Sequence, residues 1–110
     1  MLSPEPRHQL EVDVERADVI LSEGAARLID VREEWEFHRR RVPGATLVPL
    51  ALLPSRVDEL PRDVRILVIC EHGSRSLAAA EFLRGRGFDA VSVAGGTAAW
   101  ARAGKPLDQG

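Results

Sequence analysis

Apolar and polar positions repeat along the chain with two different periods, which predict strands that alternate with helices. The strongest strand signal is the continuous apolar run at residues 66–70, which follows Arg65 and is rich in branched side chains. Such a run is typical of a parallel strand that is buried on both faces. Shorter apolar stretches predict further strands at residues 27–31, 46–48 and 90–93. Alternation of this kind favours an α/β fold around a parallel sheet.

Apolar residues at helical spacing predict the connecting helices. The first helix is expected up to Ser22, with Val14 and Ala17 on one face and Asp13 as its N-cap. Thr97 is the expected cap of the last helix. The other helical stretches are expected at residues 33–38, 50–60 and 77–85, and the last one ends near residue 103.

Length and composition predict one compact domain. The chain has 110 residues, of which 45% are hydrophobic and 29% charged, so we expect a single domain, and its polar ends are expected to be short tails. A net charge of −2 argues against nucleic acid as a partner. The apolar run at 66–70 is too short to span a membrane and the first residues lack an apolar signal segment, so we expect no membrane contact and a cytoplasmic location.

The single cysteine, Cys70, is the main candidate for chemistry. It ends the most apolar predicted strand, and sites in parallel sheets form beyond the carboxyl ends of strands. A turn at Gly73, which can adopt positive φ, would let backbone N–H groups converge before the next helix and stabilise a thiolate. Arg75 adds a positive charge. An isolated cysteine is more often a small buried apolar residue, but this loop favours a nucleophile.

The segment Cys70-Glu-His-Gly-Ser-Arg-Ser76 resembles the active-site loop of rhodanese-like sulfurtransferases. Other motifs of that family are matched in the same order by Leu28-Ile-Asp-Val-Arg-Glu33 with Trp35-Glu36, by Val42-Pro-Gly-Ala45 with Pro49-Leu50, and by Val93-Ala-Gly-Gly-Thr97 with Ala99-Trp100. The chain departs from the family at Arg40-Arg41, where members commonly have Gly-His. The matching motifs cover about residues 10–107, and the resemblance implies a rhodanese-like fold over this core, with a parallel five-stranded sheet and helices on both faces. It also implies a cysteine that carries sulfane sulfur as a persulfide.

The candidate site residues follow from this loop and from the strand end beside it. Cys70 is the expected catalytic residue. The expected substrate-binding residues are Glu71, His72, Gly73, Ser74 and Arg75. The expected supporting residues are Asp30, Arg32 and Ser76. Two roles remain open for Arg75, which could bind substrate or could pair with Asp30 or another acidic neighbour.

The resemblance implies a sulfurtransferase that moves sulfane sulfur from thiosulfate or another persulfide donor to cyanide or a thiol. One thiol and three scattered histidines form no zinc pattern, so we expect no metal, and the implied reaction requires no organic cofactor. A persulfide carrier that exchanges sulfur with a relay protein, and a protein-docking module, remain as alternatives. A cysteine phosphatase is a further alternative, but only residues 71–74 separate Cys70 from Arg75, one residue fewer than in the phosphatase pattern.

Overall fold

The structure is a computed structural model that describes residues 10–110. Its seven strands, in chain order, are β1 (Glu11–Val12), β2 (Ala26–Asp30), β3 (Arg40–Arg41), β4 (Thr46–Leu47), β5 (Arg65–Ile69), β6 (Ala90–Val93) and β7 (Asp108–Gln109). Five of them form a sheet in the order β1-β6-β5-β2-β4, and every neighbouring pair is parallel. The remaining two, β3 and β7, form a separate antiparallel pair. The predicted five-stranded parallel sheet is thus confirmed.

Five α-helices connect the strands. They are α1 (Val14–Ser22), α2 (Glu34–Arg39), α3 (Leu53–Arg56), α4 (Ser74–Gly85) and α5 (Gly96–Arg102). The predicted helix over residues 50–60 is instead three short pieces, because 3-10 turns at 50–52 and 57–59 flank α3. Pro54 lies at the beginning of α3, where a missing N–H is tolerated but no helix can continue from the preceding turn. None of the helices in the described part of the chain is long and apolar enough to cross a membrane.

The sheet separates two apolar layers, so the helices lie on both of its faces as predicted. In β5 and the residue that follows it, Ile66, Val68 and Cys70 belong to one layer, and Leu67 and Ile69 belong to the other. The first layer contains side chains of α3 and α4, and the second contains side chains of α1 and α5. This alternation directs the Cys70 side chain toward α4.

The ends of several elements differ from the predictions. Asp13 is confirmed as the N-cap of α1, because its carboxylate accepts the N–H of Arg16 at 2.8 Å. Thr97, however, is not a cap: α5 begins one residue earlier, after Gly95. Strand β7 lies in the segment that was predicted as a C-terminal tail, and β1 lies just before α1, where no strand was predicted. Neither of these two-residue strands contains a run of apolar residues that would mark it in the sequence. Residues 1–9 of the predicted N-terminal tail lie outside the described residues.

Candidate active site

The Cys70 sulfur lies at the N-terminal end of α4 and is almost completely buried, with 1% of the residue exposed. Its Sγ accepts the backbone N–H groups of Gly73 at 3.1 Å and of Ser76 at 3.3 Å. Gly73 precedes α4 with φ of 109°, so the predicted left-handed turn is confirmed. The two N–H donors and the positive end of the helix dipole both favour negative charge on the sulfur.

Two buried hydroxyl groups support this sulfur. The Ser76 Oγ lies 3.3 Å from Cys70 Sγ, donates to the Gly73 carbonyl at 3.2 Å and lies 2.7 Å from the Ser92 Oγ. When the single Ser76 proton points to Gly73, Ser92 is the donor in the hydroxyl pair. If the sulfur becomes an anion, the Ser76 hydroxyl can turn to donate to it while it still accepts from Ser92. Sequence reasoning missed Ser92, although a serine among apolar residues of a buried strand was an available signal.

The first turn of α5 holds the other side of the loop. The Cys70 carbonyl accepts the N–H of Thr97 at 2.9 Å, and the Glu71 carbonyl accepts the N–H of Ala98 at 3.0 Å. This packing requires a glycine at position 96, because a Cβ there would lie 2.6 Å from the Glu71 carbonyl oxygen and closer still to that of Cys70. Hydrogen bonds from α5 therefore fix the backbone of Cys70 and Glu71.

A buried ion-pair network joins the end of β2 to the loop. The Arg32 side chain is 1% exposed and donates to both carboxylate oxygens of Asp30 at 2.9–3.1 Å. It also donates to Glu71 Oε1 at 3.1 Å, while Arg40 donates to Glu71 Oε2 at 2.8 Å. Burial alone lowers the pKa of Arg32, but the hydrogen bonds and charge of Asp30, with the neighbouring carboxylates, raise it overall. The predicted supporting residues Asp30 and Arg32 therefore hold Glu71, whose carboxylate is already occupied by two cations.

Arg75 pairs with an acidic neighbour, and this neighbour is Glu36 rather than Asp30. Its guanidinium donates to the two carboxylate oxygens of Glu36 at 2.8 and 2.9 Å. These hydrogen bonds lower the pKa of Glu36 to about 2, and the same contact raises the pKa of Arg75. The pairing joins residues 39 positions apart, and no local signal in the sequence indicates it.

His72 and Ser74, two further loop residues that were predicted to bind substrate, are both exposed. Neither side chain makes a hydrogen bond within residues 10–110. The loop thus supplies backbone N–H donors to the Cys70 sulfur. The polar side chains of residues 71–75, in contrast, point to other partners or to solvent. Over the same residues there is no group of three or more His, Cys, Asp or Glu that could hold a metal ion.

A cavity of about 450 Å³ lies beside the loop. It is lined by Arg32, Trp35, Glu36, Arg39, Arg40, Glu71 and Gln109. Most of these residues come from α2 and from the β3–β7 pair, so the short strands missed in the sequence form one of its walls. Glu71 is adjacent to Cys70 in the chain, and Glu36 is paired with Arg75 of α4, so the cavity lies next to the loop that carries the buried sulfur.

Comparison with known proteins identifies the family. The family model for the Rhodanese-like domain matches residues 13–103. A sulfurtransferase of Allochromatium vinosum is 36% identical over 73% of this chain and 76% of its own length. The thiosulfate sulfurtransferase GlpE of Vibrio cholerae is 32% identical over 92% of this chain and 96% of its own length. Among solved structures, a rhodanese-related protein of Thermoplasma volcanium is 33% identical with a TM-score of 0.82, covering 91% of this chain and 98% of that one. A thiosulfate sulfurtransferase of Pseudomonas aeruginosa has a TM-score of 0.85 at 30% identity and covers 94% of this chain and 21% of its own. The chain therefore belongs to the rhodanese-like domain family.

Proposed function

We propose that this protein is a sulfurtransferase that carries a sulfane sulfur as a persulfide on Cys70. The observation that carries the proposal is the environment of Cys70 Sγ, which lies 3.1 Å from the Gly73 nitrogen and 3.3 Å from the Ser76 nitrogen at the N-terminus of α4. Fixed N–H donors of this kind stabilise an anionic sulfur without any reorganisation during the reaction. The relatives named sulfurtransferase support the same reaction class.

The reaction has two steps, and thiosulfate is the donor we propose. In the first step, the Cys70 thiolate attacks the outer sulfur of thiosulfate. A new S–S bond forms while the S–S bond of thiosulfate breaks, and sulfite leaves with the electron pair. The enzyme then holds an anionic Cys70 persulfide in the place of the thiolate.

In the second step, a thiolate or cyanide attacks the outer sulfur of the persulfide. The bond between this sulfur and Cys70 Sγ breaks, and Sγ takes the electron pair to become a thiolate again. The products are an organic persulfide or thiocyanate. A general base is not needed in either step once the attacking sulfur is ionised, which agrees with the exposed position of His72. A protein that hands its persulfide to a relay protein would use the same two steps.

The other predicted site residues take positioning roles in this proposal. Gly73 and Ser76 donate to the sulfur, and Ser74 begins the helix that carries the second donor. Glu71 anchors the loop through Arg32, which in turn is held by Asp30. Arg75 anchors α4 to α2 through Glu36, so we assign it to loop position rather than to direct capture of the donor.

Mass spectrometry of the intact protein tests the proposal. Incubation with thiosulfate should add one sulfur, about 32 Da, in a form that cyanide or dithiothreitol removes. Because the chain has a single cysteine, Cys70→Ser should show neither the adduct nor turnover. Ser55→Ala is the matched control, since it removes an exposed hydroxyl that bonds only to a backbone carbonyl of its own turn.

Two results would contradict this assignment. One is sulfur transfer by Cys70→Ser at the rate of the unmodified protein. The other is Cys70-dependent hydrolysis of p-nitrophenyl phosphate without any sulfur adduct, which would favour a cysteine phosphatase. The short loop of residues 71–74 leads us to expect no such hydrolysis, because a phosphoryl group needs several oxygens contacted at once.

A further inference from the structure

We infer that the cavity beside the Cys70 loop binds an organic thiol that bears a carboxylate, and that this thiol is the sulfur acceptor. The inference rests on the proposed function and gives it a substrate class. Three features of the cavity carry it: its size, an unpaired cation and an exposed indole ring.

The size of the cavity favours an organic molecule. Its volume of about 450 Å³ falls in the range of about 300–1,000 Å³ that is usual for small-molecule sites. Thiosulfate and cyanide are much smaller than the ligands that fill such sites. The cavity therefore has room for a carbon stem in addition to the sulfur that reacts.

The charges in the cavity favour an anion. Both of its carboxylates are already paired, Glu36 with Arg75 and Glu71 with Arg32 and Arg40. Arg39 also lines the cavity, but its side chain has no ion pair or hydrogen bond within residues 10–110. A carboxylate of the ligand would supply the missing partner, and an arginine binds carboxylates through two parallel hydrogen bonds.

An aromatic wall lies next to this cation. Trp35 is 62% exposed, which is unusual for so large an apolar side chain. Trp35 and Arg39 are four positions apart on α2, and this spacing places them on the same face of the helix. Together they offer an apolar surface to the stem of a ligand and a positive charge to its end. Glu71, the neighbour of Cys70, lines the same cavity, so a thiol at the other end of the stem would be directed toward the sulfur.

The test compares two thiols of the same shape, 3-mercaptopropionate and its neutral amide 3-mercaptopropionamide, with thiosulfate as donor and sulfite release as readout. Arg39→Gln should raise the KM for the carboxylate thiol about three- to tenfold, because one charge-assisted contact is lost. The KM for the amide should change by less than about twofold. Each thiol is compared with itself between protein variants, so differences in intrinsic reactivity cancel.

Two further variants serve as controls. Arg39→Lys keeps the charge and should recover part of the affinity for the carboxylate thiol. Arg27→Gln removes an exposed arginine at the beginning of β2, at the other end of the sheet from Cys70, and should change neither KM. Trp35→Ala should raise the KM for both thiols, because both stems lose the same apolar surface.

Binding can also be measured without turnover. In Cys70→Ser, titration with 3-mercaptopropionate should change the tryptophan fluorescence, and Trp35→Phe should abolish the change because the other tryptophan, Trp100, is buried. If Arg39→Gln affects both thiols equally, or if the fluorescence does not respond, the inference about the cavity is wrong. If the unmodified protein transfers sulfur to neither thiol nor to cyanide, the proposed function itself is wrong.

Discussion

Gly96 lies against the backbone of the loop that carries Cys70. Its φ is 60°, and a Cβ at this position would lie 2.6 Å from the Glu71 carbonyl oxygen. Gly104 has a similar φ of 76°, but a Cβ there would have no atom within 4 Å. Comparison of the two glycines therefore separates the cost of a left-handed backbone from the cost of displacing the loop.

We expect Gly104→Ala to lower the free energy of unfolding by about 1–2 kcal/mol, which is the cost of a side chain in the left-handed region. Gly96→Ala should lower it by about 3 kcal/mol or more, because the loop carbonyls must also move. The same substitution should slow alkylation of Cys70 by iodoacetamide, whereas Gly104→Ala should not. Urea denaturation and alkylation rates measure these effects. Equal losses of stability in the two variants would show that the contact with the loop is unimportant.

The residues that contact the sulfur differ in how far sequence could predict them. Cys70, Gly73 and Ser76 belong to one continuous segment that follows a strongly apolar strand, and local chemistry was sufficient to predict them. Ser92 and Glu36 reach the site only through tertiary packing, because each lies on a different element from the loop. The partners of these two side chains depend on which strands and helices become neighbours. The sequence marks Ser92 as a serine within an apolar strand, but it does not indicate which residue Ser92 contacts.

At the scale of elements, the Glu36–Arg75 pair joins α2 to the first turn of α4. The side chain of Glu36 is 11% exposed and that of Arg75 is 36% exposed. The pair thus lies at the border between the interior and solvent, where its strength depends on the ionisation of the carboxylate. Loss of the pair would remove one contact that holds the first turn of α4, which places the Ser76 N–H against the sulfur.

This arrangement predicts a decrease in stability in acid. The pKa of Glu36 is lowered from an ordinary value of 4.5 to about 2 in the folded protein, so the folded state favours the ionised form. The stabilisation is complete above the unfolded pKa and is lost as the pH falls from about 5 toward 2. We expect a contribution on the order of 2 kcal/mol, after allowance for the partly exposed arginine.

Glu36→Gln should remove this part of the pH dependence. Urea denaturation at pH 7 and at pH 3 would measure it. Glu34→Gln is the matched control on the same helix, because Glu34 is exposed and makes no side-chain hydrogen bond within residues 10–110. The explanation fails if Glu36→Gln and Glu34→Gln lose stability between the two pH values to the same extent as the unmodified protein.

The predictability of the elements follows the apolar pattern within each of them. The sequence predicted α1, α4, β5 and β6 because each has several apolar residues at a regular period. It did not predict the strands β3 and β7, whose two residues each are polar and exposed or half-buried. These strands exist because their backbones pair with each other across the fold, and one of them contributes Gln109 to the cavity.

At the scale of the whole molecule, both apolar layers share one sheet. Each strand of the sheet interior contributes alternate side chains to the two layers, as β5 does with Val68 and Leu67. Unfolding of one layer would therefore expose one face of the sheet to solvent, and the same strands form the floor of the other layer. This sharing is the physical reason for the proposal that residues 10–107 act as one domain.

We expect a single cooperative unfolding transition. In Trp35→Phe, fluorescence reports only Trp100, which lies in the layer formed by α1 and α5. Its midpoint in urea should coincide with that of far-ultraviolet circular dichroism, which reports all helices. Two separate midpoints would mean that the layers unfold independently and that the chain is not a single cooperative unit.

The class of the fold was predictable, but the order of the strands was not. Alternating periods indicated a parallel sheet. The apolar run at 66–70, which carried this prediction, supplies most of β5, and β5 pairs in parallel with β2. The order β1-β6-β5-β2-β4 depends on pairing between strands that are distant in the chain. That pairing is decided by how the helices pack on both faces, and hydrophobic periodicity within single segments does not describe it.

The pairing of β1 has a consequence for how the protein folds during synthesis. Glu11 is opposite Ser92 and Val12 is opposite Val93, so β1, the first strand within residues 10–110, has no partner until residues 90–93 have left the ribosome. The contacts between β2 and β5 close a much shorter loop and are available sooner. We therefore expect the pairing of β2 with β5 to form before β1 docks onto the edge of the sheet.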